Sequence, residues 1–395
     1  MSDLTALAKT WMQNDPDPAT RAEIEALLAA PDVTMTDLAD RFAGALEFGT
    51  AGLRGIIGAG PNRMNRAVVR RTTYGLARYL LDTLGGEAKS RGVVIGFDGR
   101  TLSREFADET SRVLAAQGIA SHLFEDFAPT PLTAFAVKHL GACAGVMITA
   151  SHNPREYNGY KAYAGNAAQI IPPVDADIAR HIDAAPVAKN VPMFTPDEAK
   201  LSRLVHPVSD HVSRAYLDAV RGLSRRNDGD RGFSIVYTAM HGVGNALALA
   251  ALARAGFTDV FSVPEQAEPD GAFPTVAFPN PEEKGAMDLS LAHARARNAD
   301  LILANDPDAD RLAVAIPSEK SATKYLQLTG NQVGVLLGHH ILVRGPKKKN
   351  PLLIASIVTS PELGNIARSL GARYEETLTG FKWIANRAMD LEREG

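Results

Sequence analysis

The chain has 395 residues and a formal net charge of -3, a length that suits about two or three domains with real cores. Hydrophobic residues at 45% and charged residues at 22% exclude an intrinsically disordered chain, and the near-neutral balance excludes a polyanion-binding composition. A single cysteine, Cys143, in the apolar stretch Ala142 to Met147, excludes an intrachain disulfide and points to a reducing cytoplasm.

The first 20 residues carry Asp3, Asp15 and Asp17 and lack the apolar run of a signal peptide. No later segment approaches the roughly 20 apolar residues of a membrane span. The one basic run, Lys347-Lys348-Lys349, lies between Pro346 and Asn350 and reads as a solvated turn. The expectation is a soluble cytoplasmic protein with no nucleic-acid or membrane partner and no obligate protein partner.

In chain order, Leu4 to Met12 and Arg21 to Leu28 have helical spacing and form a lead-in without evident chemistry. Phe48-Gly-Thr-Ala-Gly-Leu-Arg-Gly55 follows, with glycines, a hydroxyl and Arg54 able to approach an oxyanion; read alone it is any flexible loop. Gly92 to Asp98 is a strand candidate followed by helical spacing from Arg104 to Gln117, and the same rhythm returns at Phe233 to Thr238 and Leu352 to Ser356. This predicts an α/β protein of several related α/β domains, with mixed sheets sandwiched by helices. Pro186 to Pro196 and Pro317 to Thr323 read as boundaries, giving domains over 1–200, 201–320 and 321–395.

Gly145-Val-Met-Ile-Thr-Ala-Ser-His-Asn-Pro154 runs from an apolar strand into a turn, because Asn153-Pro154 disfavours helix. Ser151 then sits just past a strand end, where α/β sheets bind ligands, and its hydroxyl is placed to act as a nucleophile or phosphate carrier. A turn whose Ser and Asn bond their own backbone is the competing reading. A serine-hydrolase elbow is excluded, because Thr149 and Asn153 stand where Gly-x-Ser-x-Gly needs glycine. Downstream, Lys161 is a candidate proton shuttle or an ordinary surface ammonium. His241-Gly-Val-Gly244 lacks the third glycine of a dinucleotide fingerprint, since Leu247 stands there, and no Walker loop occurs.

The apolar run Ala299 to Ala304 leads into Asn305-Asp306-Pro307-Asp308-Ala309-Asp310-Arg311, where Pro307 forbids a helix. Two carboxylates about 4 Å apart repel by roughly 4 kcal/mol at an effective dielectric near 20, so such clustering implies a cation, and all-oxygen ligands favour magnesium. An EF-hand is excluded because Arg311 and Pro317 stand where that loop needs glycine and glutamate. A solvated acidic turn is the alternative.

Together, Gly49-Thr-Ala-Gly-Leu-Arg54, Thr149-Ala-Ser-His-Asn-Pro154 and Asp306-Pro-Asp-Ala-Asp-Arg311 resemble the alpha-D-phosphohexomutase superfamily in residues, order and spacing, over nearly all the chain after residue 40. Glu156-Tyr-Asn-Gly-Tyr-Lys161 and Thr377-Leu-Thr-Gly-Phe-Lys-Trp383 resemble the phosphoglucomutase/phosphomannomutase branch that includes phosphopentomutases. The resemblance implies a mutase moving a phosphoryl group between the C1 and C6 hydroxyls of a hexose phosphate, or acting on a pentose phosphate, through a phosphoserine and a bisphosphate intermediate. It implies Ser151 as phosphate carrier and Asp306, Asp308 and Asp310, with Ser151, as the Mg²⁺ site. It further implies Arg54 and Arg311 on phosphate oxygens, Lys161 and His152 in proton transfer, Thr379, Gly380 and Lys382 facing substrate, and a sugar bisphosphate as primer. Beyond Lys382 it implies an acidic sugar-reading loop and a C-terminal phosphate-binding domain, neither of which lies within these residues. The alternative expectation is a catalytically impaired phosphosugar-binding fragment.

Overall fold

The computed structural model describes residues 2–47, 52–223 and 229–394. It divides into two compact units, Met1–Ser209 and Asp210–Gly395.

Three helices open the first unit, Ser2–Asn14, Pro18–Ala29 and Pro31–Arg41. Asp17 caps the second by accepting from the Ala19 N–H, with Pro18 fixing the first turn. These helices bury a small core of Ala8, Ile24 and Leu38 that also takes in Ala59.

The first sheet contains β1 (Leu53–Ile56), β2 (Val93–Phe97), β3 (Ser121–Leu123), β4 (Ala144–Ile148), β5 (Tyr157–Ala164) and β6 (Val205–Pro207), in the order β1-β5-β4-β2-β3-β6. Strands β4, β2, β3 and β6 pair in parallel, while β5 runs antiparallel to both β4 and β1. Every residue of β2 and β4 is buried, which is why both read as unbroken apolar runs rather than alternating ones. Their glycines let helix Thr130–His139 lie close on the sheet. A Cβ on Gly145 would stand 2.5 Å from Val137 Cγ2, and one on Gly96 would collide with Thr133 Oγ1.

The proline-rich stretch Pro186 to Pro196 packs onto the first unit. Ala188 and Val191 are buried, and the Phe194 N–H donates to the Arg112 carbonyl, so the segment straps the unit before β6 joins β3. The unit runs on to Ser209.

In the second unit, β7 (Ile235–Thr238), β8 (Val260–Ser262), β9 (Leu301–Ala304), β10 (Ala313–Pro317) and β11 (Tyr325–Leu328) form a sheet of order β11-β10-β9-β7-β8. Strand β7 is parallel to β8 and β9, and β9, β10 and β11 are antiparallel. Pro317 to Thr323 is the turn of the β10–β11 hairpin, with Ser318 N–H on the Lys324 carbonyl at 2.8 Å, so this sheet continues past residue 320. The next helix, Gly330–Arg344, starts with a capping box between Thr329 and Gln332. It leads to the parallel pair β12 (Leu352–Ser356) and β13 (Arg373–Thr377), followed by helix Phe381–Glu394. The architecture is α/β, as the strand and helix rhythm predicts, and antiparallel pairs make both larger sheets mixed. Among the described residues no helix is long and apolar enough to cross a membrane.

Two outcomes follow from this packing. Gly96→Ala should cost about 1–3 kcal/mol through overpacking against Thr133, read as a lower denaturation midpoint at unchanged slope. At the sheet edge His122 lies directly opposite His206, their ring centroids 5.7 Å apart. Burial lowers the His122 imidazole below its ordinary value of 6.5, the Arg91 carbonyl opposes this, and His206 adds to it. Protonation is then harder in the folded protein, so the stability His122 supplies is complete above the unfolded value and is lost as pH falls below it. Urea midpoints should be lower at about pH 5.5 than at about pH 7.5, and His122→Gln should flatten that difference.

Candidate active site

Strand β4 ends at Ile148, and the chain turns at once into the serine loop. Ser151 is 1% exposed and adopts the left-handed conformation, φ 54°. For a residue with a side chain that conformation costs on the order of 1–3 kcal/mol, so the surroundings must hold it. They do so through a buried network. The Ser151 N–H donates to Thr149 Oγ1 at 2.8 Å, and the Thr149 hydroxyl donates to Asp98 Oδ2 at 2.6 Å. Asp98 Oδ1 accepts from the Ser103 hydroxyl at 2.7 Å, and Asn158 Nδ2 donates to that same Ser103 oxygen at 3.0 Å. The Ser151 carbonyl accepts from Arg100 Nη2 at 2.7 Å, and Arg100 Nε lies 3.3 Å from Asp98 Oδ2. Burial raises the Asp98 carboxyl above its usual range, while Arg100 and the Thr149 and Ser103 hydroxyls pull it back.

Ser151 Oγ lies 3.2 Å from His152 Nδ1. On β1, Arg54 Nη1 donates to Asn153 Oδ1 at 2.8 Å. Lys161, on β5 opposite Met147 of β4, is 2% exposed. Residues 48–51 of the glycine loop lie outside the described residues, but Gly52 reaches β5, where an added Cβ would stand 3.1 Å from Lys161 Cα. The adjacent strands β1, β5 and β4 thus carry Arg54, Lys161 and the Ser151–His152 loop.

The second unit holds the aspartate loop between β9 and β10. Asp306 and Asp308 are fully buried, Asp310 is exposed, and one carboxylate oxygen from each lies within 4.8 Å of the others. Ala309, between Asp308 and Asp310, takes the left-handed conformation, φ 56°, and its N–H donates to the Asp306 carbonyl at 2.9 Å. Asp306 Oδ1 also accepts the Arg311 N–H at 3.0 Å, and Arg311 Nε stands 3.8 Å from Asp306 Oδ2. Three hard oxygen donors, two of them desolvated, fit a magnesium-class dication.

The loop after β7 supports this one. The Val243 N–H donates to the Pro307 carbonyl at 2.8 Å, and Tyr237 OH donates to Asn305 Oδ1 at 2.8 Å. Burial raises the Tyr237 hydroxyl, with the Asp306 charge adding to it. Gly242 is forced by this approach, since a Cβ there would lie 2.5 Å from the Pro307 carbonyl oxygen. The sequence His241-Gly-Val-Gly244, which fails as a nucleotide fingerprint, is therefore the backing of the aspartate loop. His241 is buried, with Nε2 2.8 Å from Thr275 Oγ1, and burial lowers its imidazole.

After β13, Thr379 is exposed and Gly380 has φ 124°. Lys382 opens the last helix, is 6% exposed, and carries its ammonium 5.6 Å from the Trp383 ring centre.

Residues 45–188, 214–319 and 329–393 match, in order, phosphoglucomutase/phosphomannomutase alpha/beta/alpha domains I, II and III. The chain belongs to the phosphoglucomutase/phosphomannomutase family. Over 406 residues it is 40% identical to a probable phosphoribomutase of Schizosaccharomyces pombe, an alignment covering 99% of this chain and 67% of that protein. It is 39% identical over 405 residues to the phosphopentomutase of Mus musculus, covering 98% of this chain and 64% of that one. It is 44% identical over 324 residues to a probable phosphomannomutase of Haemophilus influenzae, covering 81% and 64%. The chain thus spans about two thirds of the length of these relatives. Among solved structures, the putative phosphomannomutase of Thermus thermophilus superposes with TM-score 0.72 at 26% identity, covering 88% of this chain and 72% of that one.

Within this family member, Asp98, Arg100, Asn158 and Gly242 were missed by motif reading. For the first two a signal existed: Phe97-Asp-Gly-Arg100 ends the strand beside β4, so its side chains reach the same sheet edge as Ser151. If the aspartate loop holds its metal with Gly242 as backing, Gly242→Ala should weaken Mg²⁺ binding about 10-fold by calorimetry, the scale of losses from supporting residues. Asp308→Asn should remove the rise in thermal midpoint that Mg²⁺ produces.

Proposed function

We propose that this chain is a phosphosugar mutase in which Ser151 carries the transferable phosphoryl group. The observation that carries this reading is the buried, left-handed Ser151 at the carboxyl end of β4, the edge at which α/β sheets bind ligands. The acidic loop supports it, since Asp306, Asp308 and Asp310 would hold Mg²⁺. A bound Mg²⁺ supplies Lewis-acid neutralisation of the charge on the transferring phosphoryl group.

The residues take roles that conserve bonds and protons. Lys161 accepts the proton of the attacking sugar hydroxyl as that oxygen bonds to phosphorus and the bond to Ser151 Oγ breaks. His152 Nδ1, 3.2 Å from that oxygen, returns a proton to it. Arg54 and Arg311 bind phosphate oxygens, and Thr379, Gly380 and Lys382 contact the sugar phosphate. The resulting bisphosphate returns its other phosphoryl group to Ser151, and a sugar bisphosphate primes an unphosphorylated protein. A reducing cytoplasm suits the buried thiol of Cys143.

The substrate we infer is a pentose phosphate, because the phosphoribomutase and phosphopentomutase relatives align over 98–99% of this chain. A hexose phosphate is the second reading, favoured by the 44% identity to the probable phosphomannomutase. Intact mass should show a phosphate increment absent from Ser151→Ala, whose turnover should fall by about 10⁴-fold or more. Coupled assays of ribose 1-phosphate to ribose 5-phosphate and glucose 1-phosphate to glucose 6-phosphate, each with a bisphosphate primer, should give the higher kcat/KM for the pentose. A Ser151 that accepts no phosphate from any bisphosphate sinks the reading.

A further inference from the structure

We propose that Arg100 is a positioning residue for phosphoryl transfer: buried beneath the serine loop, its guanidinium fixes the backbone turn that aims the Ser151 hydroxyl. The inference rests on reading Ser151 as the phosphoryl carrier.

Between Ser151 and β5 the backbone satisfies only part of its own carbonyl groups: Glu156 accepts the Ile57 N–H at 2.7 Å and Pro154 the Tyr157 N–H at 3.0 Å. Carbonyls withdrawn from water need donors, and one side chain supplies four further bonds. Arg100 Nη2 donates to the carbonyls of Ser151 at 2.7 Å and Asn153 at 2.6 Å, and Nη1 to those of Pro154 at 2.9 Å and Tyr157 at 3.1 Å. The Arg100 and Asp98 side chains are both 0% exposed, so the guanidinium sits against the inner side of the loop and its charge is balanced in place.

The connectivity at Ser151 is what turns this support into aim. Its carbonyl is held by Arg100, and its N–H is held by Thr149 Oγ1, whose own hydroxyl bonds to Asp98. Both backbone groups of the serine therefore lead back to one buried ion pair. With those two anchors fixed, the left-handed φ of 54° follows, and with it the direction of the Cα–Cβ bond. A lysine carries three donors on one point and cannot span four carbonyls, whereas the planar guanidinium carries five donors in a fork. Arg100 lies behind the reacting oxygen, so its loss should slow the chemical step and leave the affinity for the sugar bisphosphate unchanged.

Three variants test this: Arg100→Lys, Arg100→Ala, and the double variant Asp98→Asn/Arg100→Met, which removes both charges so that neither is buried alone. Dephosphorylated protein is mixed with glucose 1,6-bisphosphate and Mg²⁺, and the phosphate increment on Ser151 is followed by mass under single turnover. The saturating rate should fall about 100-fold, as expected of a reacting group displaced by about 1 Å, with the half-saturating concentration unchanged. Added guanidinium should restore part of the rate to Arg100→Ala, which loss of folding would not permit. Hydrogen exchange across 149–158 should rise in all three variants while β2 stays protected.

A wild-type saturating rate in Arg100→Lys or in the double variant overturns the inference. So does a half-saturating concentration that rises in step with the loss of rate, or loop exchange equal to wild type. Absence of phosphate on the wild-type protein is a different failure, that of the Ser151 reading, and the exchange measurement then decides the positioning role alone.

Discussion

Parallel pairing of neighbouring strands is the constraint on which both loops depend. Strand β2 lies beside β4, and β7 beside β9, so the loops leaving their carboxyl ends emerge side by side. In the first sheet the loop after β2 brings Asp98 and Arg100 under the loop that carries Ser151. In the second, the loop after β7 presses Gly242 and Val243 against Pro307 inside the acidic loop. One geometric rule thus produces two supports made of different chemistry, a buried ion pair in one and close backbone contact in the other.

Charge explains the difference. The serine loop is rich in carbonyls that need donors, and a guanidinium provides several at once without leaving a net charge, because Asp98 balances it. The acidic loop already concentrates negative charge. Carboxylate charges within 4.8 Å of one another repel by roughly 3.5 kcal/mol or more at an effective dielectric near 20, and the Arg311 guanidinium nitrogen Nε stands 3.8 Å from Asp306 and 4.0 Å from Asp310. A neutral backing of glycine and backbone amides adds no further charge to the loop, whose three carboxylates keep one oxygen each close together.

Much of this was legible in the chain. The apolar runs at Val93, Ala144 and Ile235 mark strands because every residue in them is buried, and Ser151 and the aspartates stand out because their chemistry is contiguous in sequence. What escaped reading depends on adjacency in space. Arg100 is 51 residues from the carbonyl it holds, and Gly242 answers to Pro307. The third leading helix, Pro31–Arg41, was missed because its apolar positions are sparse. Pro186 to Pro196 and Pro317 to Thr323 have the composition of linkers, yet one is packed against the first unit and the other is a hairpin turn. Proline marks a stop in hydrogen bonding, and does not distinguish an edge of a domain from a bend within it.

The three leading helices precede the match to family domain I, which begins at residue 45, yet the phosphoribomutase and phosphopentomutase alignments reach over 98–99% of the chain, and the helices grip the segment that follows β1. Glu23 accepts the Ala59 N–H at 2.9 Å, Arg41 donates to the Ala59 carbonyl at 3.1 Å, and Asp40 pairs with Arg63. The leading helices and residues 59 to 63 therefore form one packed piece of the first unit. Glu23 and Arg41 reach only the backbone of Ala59, which any residue but proline would present there, whereas Asp40 and Arg63 are a side-chain pair in which a change on one side leaves the other charge without its partner.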